Sequence, residues 1–135
     1  MIYEATIQYA HTDHQGNEKI VKEKYVLEEG DFFAHAETKL YDTFEGMRNL
    51  DVTDIKRSKI KEIANERQSE DDRLWLSEVQ DTMLCDDGSE KSIKYKILFY
   101  SKTFDTAKAF ITEYIRQGYD MTLVSLKLTK FIDVL

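Results

Sequence analysis

A chain of 135 residues, 41% of them hydrophobic, has the size of one ordinary soluble domain. Its 26 acidic and 19 basic residues leave a formal charge of −7, which argues against a sequence-independent duplex DNA binder. The single cysteine, Cys85, excludes an intrachain disulfide and a thiolate zinc cluster, and no apolar run approaches the length of a membrane span or a signal segment. A cytoplasmic location and no membrane partner are therefore expected. With no proline and only five glycines, no stretch reads as a flexible linker, so one domain over residues 1–135 is expected.

From Tyr3 the residues Tyr3, Ala5, Ile7 and Tyr9 alternate with Glu4, Thr6 and Gln8, the period-2 pattern of a half-buried strand. The polar run Asp13 to Glu18, with Gly16 inside it, predicts a hairpin turn. A second strand follows over Ile20 to Leu27, with Lys22 and Lys24 on one face and Val21, Glu23 and Tyr25 on the other. Glu23 is the residue that spoils this alternation.

Asp31 is placed to cap a helix in which Phe33, Ala36, Leu40 and Phe44 form one apolar stripe, and Gly46 is placed to end it. Leu50 to Ala64 then reads as one long strand whose apolar phase slips between Ile55 and Ile60, as a β-bulge would make it. Asn65 to Arg73 is wholly polar and forms a seam.

Beyond the seam the pattern starts again, offset by about 71 or 72 positions. Leu74 to Gln80 repeats the first strand, with Trp75 standing where Tyr3 stood. Asp86 to Lys91 repeats the hairpin turn, and Ile93 to Tyr100 the second strand, with Lys94 and Lys96 in the places of Lys22 and Lys24. Thr103 is placed to cap a second helix striped by Phe104, Ala107, Ile111 and Ile115. Gly118 leads into a last strand over Met121 to Leu135. Within it Leu126 to Leu135 matches Ile55 to Ala64, with Lys127 and Lys130 answering Lys56 and Lys59.

The expected fold class is α+β. Two tandem strand-strand-helix-strand repeats, about residues 1–64 and 74–135 with a seam at 65–73, would share one core. The whole would have about six mainly antiparallel strands and two main helices related by a pseudo-two-fold axis.

The segments Asp54-Ile55-Lys56-Arg57 with Glu62-Ile63, then Asp72-Arg73-Leu74-Trp75, and Asp86-Asp87-Gly88-Ser89-Glu90-Lys91 give the chain a family likeness. It resembles a domain-of-unknown-function family of short proteins from gut Bacteroidales, their mobile elements and their crAss-like phages. The resemblance covers most of the chain and implies a cytoplasmic, phage or mobile-element setting. It carries over no functional residue.

Catalytic inventory is thin. His11 and His14 are spaced like metal ligands, but they sit at a polar hairpin tip without a third converging ligand, and the ordinary outcome there is a solvated side chain. Cys85 lies beside Asp86 and Asp87, whose charge disfavours a thiolate. There is no phosphate-binding glycine loop and no His-Glu-x-x-His. The expectation is a protein that is not an enzyme, with no catalytic residue, cofactor, metal or small-molecule substrate.

The repeated cations are the more specific feature. Lys22, Lys24, Lys56 and Arg57 in the first half, and Lys94, Lys96, Lys127 and Lys130 in the second, could give one sheet face a basic character. Trp75, Tyr95 and Tyr100 could supply stacking surfaces for the bases of a single-stranded nucleic acid. The plainer reading is that these lysines keep exposed strands soluble and that the aromatic residues are core. The functional expectation is a non-catalytic binding protein acting by protein association or self-association, with single-stranded nucleic-acid binding as the alternative.

Overall fold

The computed structural model describes residues 2–28, 32–118 and 120–135. In chain order these form β1 (Ile2–Thr12), β2 (Glu18–Glu28), α1 (Phe33–Thr43), β3 (Asp51–Arg57), β4 (Ile60–Ile63), β5 (Arg73–Leu84), β6 (Glu90–Ser101), α2 (Phe104–Ile115), β7 (Met121–Leu128) and β8 (Phe131–Val134). The fold is α+β, with two helices and eight strands in two four-stranded sheets.

The strand count corrects the expected six. Leu50 to Ala64 is not one bulged strand: β3 ends at Arg57 and β4 begins at Ile60 in the other sheet, and the last stretch divides in the same way into β7 and β8. The slip in apolar phase between Ile55 and Ile60 therefore marks a change of sheet. A bulge does exist, but earlier, where the β1–β3 register shifts at Thr53.

Two compact units result, residues 1–58 with 131–135 and residues 59–130. In the first, the strand order is β3-β1-β2-β8; β1 pairs antiparallel with β2 and β3, while β8 lies parallel to β2. In the second, the order is β4-β6-β5-β7; β5 pairs antiparallel with β6 and β7, while β4 lies parallel to β6. Each half of the chain thus hands its last short strand to the sheet built mainly by the other half.

In each unit buried side chains gather into a cluster against its helix. In the first unit Tyr3, Ala5 and Ile7 of β1 and Tyr25 and Leu27 of β2 meet Ala36, Leu40 and Phe44 of α1. In the second, Trp75, Val79, Ile97 and Phe99 meet Ala107, Ile111 and Ile115 of α2. The cause is amphipathic periodicity, which gives each sheet its own helix to cover one face. Fully burying a side chain such as Leu40 or Ile111 contributes about 1.5–3 kcal/mol.

The helix ends differ. Thr103 caps α2 as expected: its hydroxyl accepts from the Thr106 N–H at 3.2 Å, and the Thr106 hydroxyl accepts from the Thr103 N–H at 3.0 Å. Asp31, the expected cap of α1, lies outside the described residues. The N-cap position is held by Phe32, whose side chain makes no capping bond. Both hairpins turn on glycine at positive φ, 81° at Gly16 and 85° at Gly88, the conformation that residues with a Cβ avoid.

The polar seam is ordered. Asn65 follows β4 and extends its pairing with a side chain: its amide nitrogen donates to the Tyr100 carbonyl at 3.0 Å and its amide oxygen accepts from the Tyr100 N–H at 2.7 Å. Asp72, buried, accepts from the Gln68 and Ser69 N–H groups at 2.8 and 3.1 Å. Replacing Asn65 by Ala would leave two groups of the Tyr100 backbone without these partners. Asn65→Ala is expected to cost about 1–3 kcal/mol of unfolding free energy, read from denaturant melts.

Candidate functional site

Directly opposed residues of antiparallel strands share a face, so register places the predicted cations. In the first unit the face away from α1 carries the rows Lys22–Gln8–Asp51, Lys24–Thr6–Asp54 and Val26–Glu4–Lys56. Three lysines meet three carboxylates, and the patch has no excess charge. In the second unit the rows are Lys94–Gln80–Thr122, Lys96–Glu78–Ser125 and Leu98–Leu76–Lys127, with three lysines against one carboxylate. Arg57 stands opposite Tyr3 and so in the helix-side phase, while Lys130 lies in the link between β7 and β8.

Two of the three expected stacking residues are not surfaces. Trp75 is 6% exposed, its indole N–H donates to the Ser101 carbonyl at 2.9 Å, and Phe104 meets its ring edge-on. Tyr100 is 7% exposed and lies under the Arg67 guanidinium, 5.0 Å from its ring centre. Both correct the expectation, because each falls in the inner, buried half of a strand. Tyr95 is half-buried, with the Lys61 ammonium 4.2 Å above its ring.

At the hairpin tips the carboxylates serve the turns. Asp13 accepts from the Gln15 and Asn17 N–H groups, both at 2.9 Å, and Asp87 accepts from the N–H and hydroxyl of Ser89. The Ser89 hydroxyl in particular holds the Asp87 carboxyl below its ordinary range. Among the described residues no three His, Cys, Asp or Glu side chains are grouped to hold a metal ion, and no helix is long and apolar enough to cross a membrane.

The feature that does distinguish one place on the molecule is a sheet edge. β3 and β7 are the outer strands beside β1 and β5, and they are built alike: each carries one extra residue, Thr53 or Val124, where the register shifts. Their protection differs. β3 reads Asp51-Val52-Thr53-Asp54-Ile55-Lys56-Arg57, four of its seven residues charged. The Val52 N–H donates to the Tyr41 hydroxyl at 3.4 Å, and the Thr53 hydroxyl donates to the Thr6 carbonyl at 3.3 Å.

β7 reads Met121-Thr122-Leu123-Val124-Ser125-Leu126-Lys127-Leu128, with one charge. Val124 is 45% and Leu128 44% exposed. At the place of Tyr41 the second helix has Thr112, and at the place of Thr53 the strand has Val124. No strand of the described residues pairs with its outer side. A largely apolar edge with a single charge is a ready template for another strand.

A family model described as Domain of unknown function (DUF4494) matches residues 1–135. The chain belongs to this family. No curated protein and no solved structure matches it.

In this DUF4494 chain the sequence reading also missed a polar cluster. Glu23 points to the helix side of its sheet, where the Tyr9 hydroxyl donates to one carboxylate oxygen at 2.6 Å and the Tyr25 hydroxyl to the other. In the second unit Tyr114 donates to Glu62 at 3.0 Å. The signal was present: Tyr9 and Glu23 have Asp81 and Tyr95 as their counterparts, tyrosine and acid having traded strands. Burial, then the bond to Glu23, holds the Tyr25 phenol well above its ordinary range; for Tyr9 the bond to Glu23 comes first.

A proton held more tightly in the native state stabilises the fold fully below the ordinary tyrosine range, near about pH 10, and that stability is lost as pH rises through the native values. Tyr25→Phe is therefore expected to cost about 1–3 kcal/mol at neutral pH and to flatten the fall of the denaturation midpoint above about pH 10. Denaturant melts across that range measure both.

Proposed function

We propose that this protein is a non-catalytic binding protein that acts by protein association, with the outer edge of β7 as its docking element. The observation that carries the reading is the contrast between two like-built edges, one charged and capped, the other apolar and open. Main-chain hydrogen bonds to an added strand would supply affinity, and Val124 and Leu128 would supply apolar contact. The phage or mobile-element setting implied by the family resemblance belongs to this proposal, with a partner in the host cytoplasm or among the element's own products.

Single-stranded nucleic acid is the second reading, and its support is the surplus of lysine over acid in the second unit, Lys94, Lys96 and Lys127 against Glu78. Counting against it are the burial of Trp75 and Tyr100 and the balanced charge of the other sheet face.

Capture from a host extract separates the readings. Wild type is expected to retain a partner, a host protein or an added untagged copy of the chain, that Val124→Lys loses and that Thr53→Lys, the matched change on the guarded edge, keeps. Retention of the partner by Val124→Lys would overturn the proposal. Lys94→Glu with Lys96→Glu is expected to leave capture unchanged; a low-salt oligonucleotide shift that this pair abolishes would favour the second reading instead.

A further inference from the structure

The residues along the open edge are self-complementary. Read from Asp120 to Lys127 and back again, Asp120 meets Lys127, Met121 meets Leu126, Thr122 meets Ser125 and Leu123 meets Val124. Opposite charge faces opposite charge, apolar faces apolar, and hydroxyl faces hydroxyl. We infer that the occupant of this edge is a second copy of the chain, its β7 running antiparallel to the first about a two-fold axis between Leu123 and Val124. The inference rests on the reading of β7 as the docking edge and goes further by naming the partner.

Geometry tests the pairing before any experiment does. When a strand pairs with its own copy about an axis perpendicular to the sheet, residues set opposite each other lie on the same face. In a regular strand Met121 and Leu126, five positions apart, would point to opposite faces, and this register would be forbidden. The extra residue at Val124 removes the conflict: Met121 and Leu126 both pack on the helix-side cluster. Thr122 and Ser125 both stand opposite residues of the other phase, Gln80 and Glu78. The bulge falls at the centre of the palindrome, so both copies carry it at the same place and their added twist coincides.

The alignment has a chemical consequence at each end. Lys127 faces Asp120 of the second copy, and by symmetry the same pair forms twice. Thr122 faces Ser125 twice on the same surface as Lys127, the one turned away from the helix-side cluster, where short hydroxyl side chains allow close approach of the strands. The product is one continuous eight-stranded sheet, isologous and closed, which leaves no open β7 edge for a third copy.

Sedimentation of the full chain from about 1 to about 100 micromolar tests self-association, and cysteines test the register. Wild type is expected to shift from 15.9 kDa to twice that mass. Lys127→Glu, which sets two carboxylates against each other at both ends, is expected to weaken the dimer roughly tenfold. In a Cys85→Ser background, Thr122→Cys with Ser125→Cys is expected to form a covalent dimer on oxidation, at a yield that Met121→Cys with Ser125→Cys does not match. A strictly monomeric wild type would overturn the inference, as would equal cross-linking of the two pairs. The outcomes also separate this inference from the reading beneath it. A monomer whose host partner is lost in Val124→Lys keeps the docking edge and refutes the second copy; a dimer indifferent to Val124→Lys, with the variant's fold checked by circular dichroism, refutes the second copy at this edge, and a partner that the variant also retains refutes the docking edge with it.

Discussion

Every strand at the margin of a sheet presents backbone N–H and C=O groups that need partners, and the chain's path is a response to that need. In each unit three strands and a helix come from one half of the sequence, and a fourth, four-residue strand from the other half closes the open side of β2 or β6. Pairing of these short strands is parallel, which a tight hairpin cannot produce. It needs a strand arriving from elsewhere in the chain. The closing strands β4 and β8 therefore do two things at once: they satisfy one margin of each sheet and they carry the chain from one unit to the other.

The sheets end at β3, β8, β4 and β7, and a handful of residues decides how the like-placed edges β3 and β7 differ. Asp51, Asp54 and Arg57 on β3 become Thr122, Ser125 and Leu128 on β7; Tyr41 becomes Thr112. The first edge thereby carries four charges and a hydroxyl cap on a backbone N–H, and the second carries the single charge of Lys127. A charged edge must strip water from its charges before a neighbouring strand can pair, while an apolar edge gains by the same approach. The functional reading follows from this asymmetry between otherwise equivalent strands.

The interiors show a related economy in polar groups. Glu23 lies on the helix side of its sheet, and two tyrosine hydroxyls hold its two oxygens. A half-buried carboxylate left alone would be costly, whereas one that accepts two phenolic protons is compatible with packing. The second unit solves the same problem with Tyr114 and Glu62. These acids are engaged by the protein's own hydroxyls, so acidic content here reflects local satisfaction of polar groups.

How much the sequence determined by itself follows the range of the forces involved. Alternation in β1 and β5, the stripes Ala36–Leu40–Phe44 and Ala107–Ile111–Ile115, the turn glycines and the Thr103 cap are set by neighbours a few residues apart and were legible, whereas Phe33 and Phe104 at the stripe heads are exposed and the inner halves of β2 and β6 are buried without alternation. Glu23 looked like an error of alternation because its partner Tyr9 lies 14 residues away on another strand. The break at Ser58 was misread as a bulge, since Ile60–Ile63 has the same pattern whichever sheet it joins. Burial of Trp75 and Tyr100, the balance of charge across strand rows, and the exposure of β7 depend on which strands lie side by side. Pairing is a long-range property, and only the tertiary structure decided it.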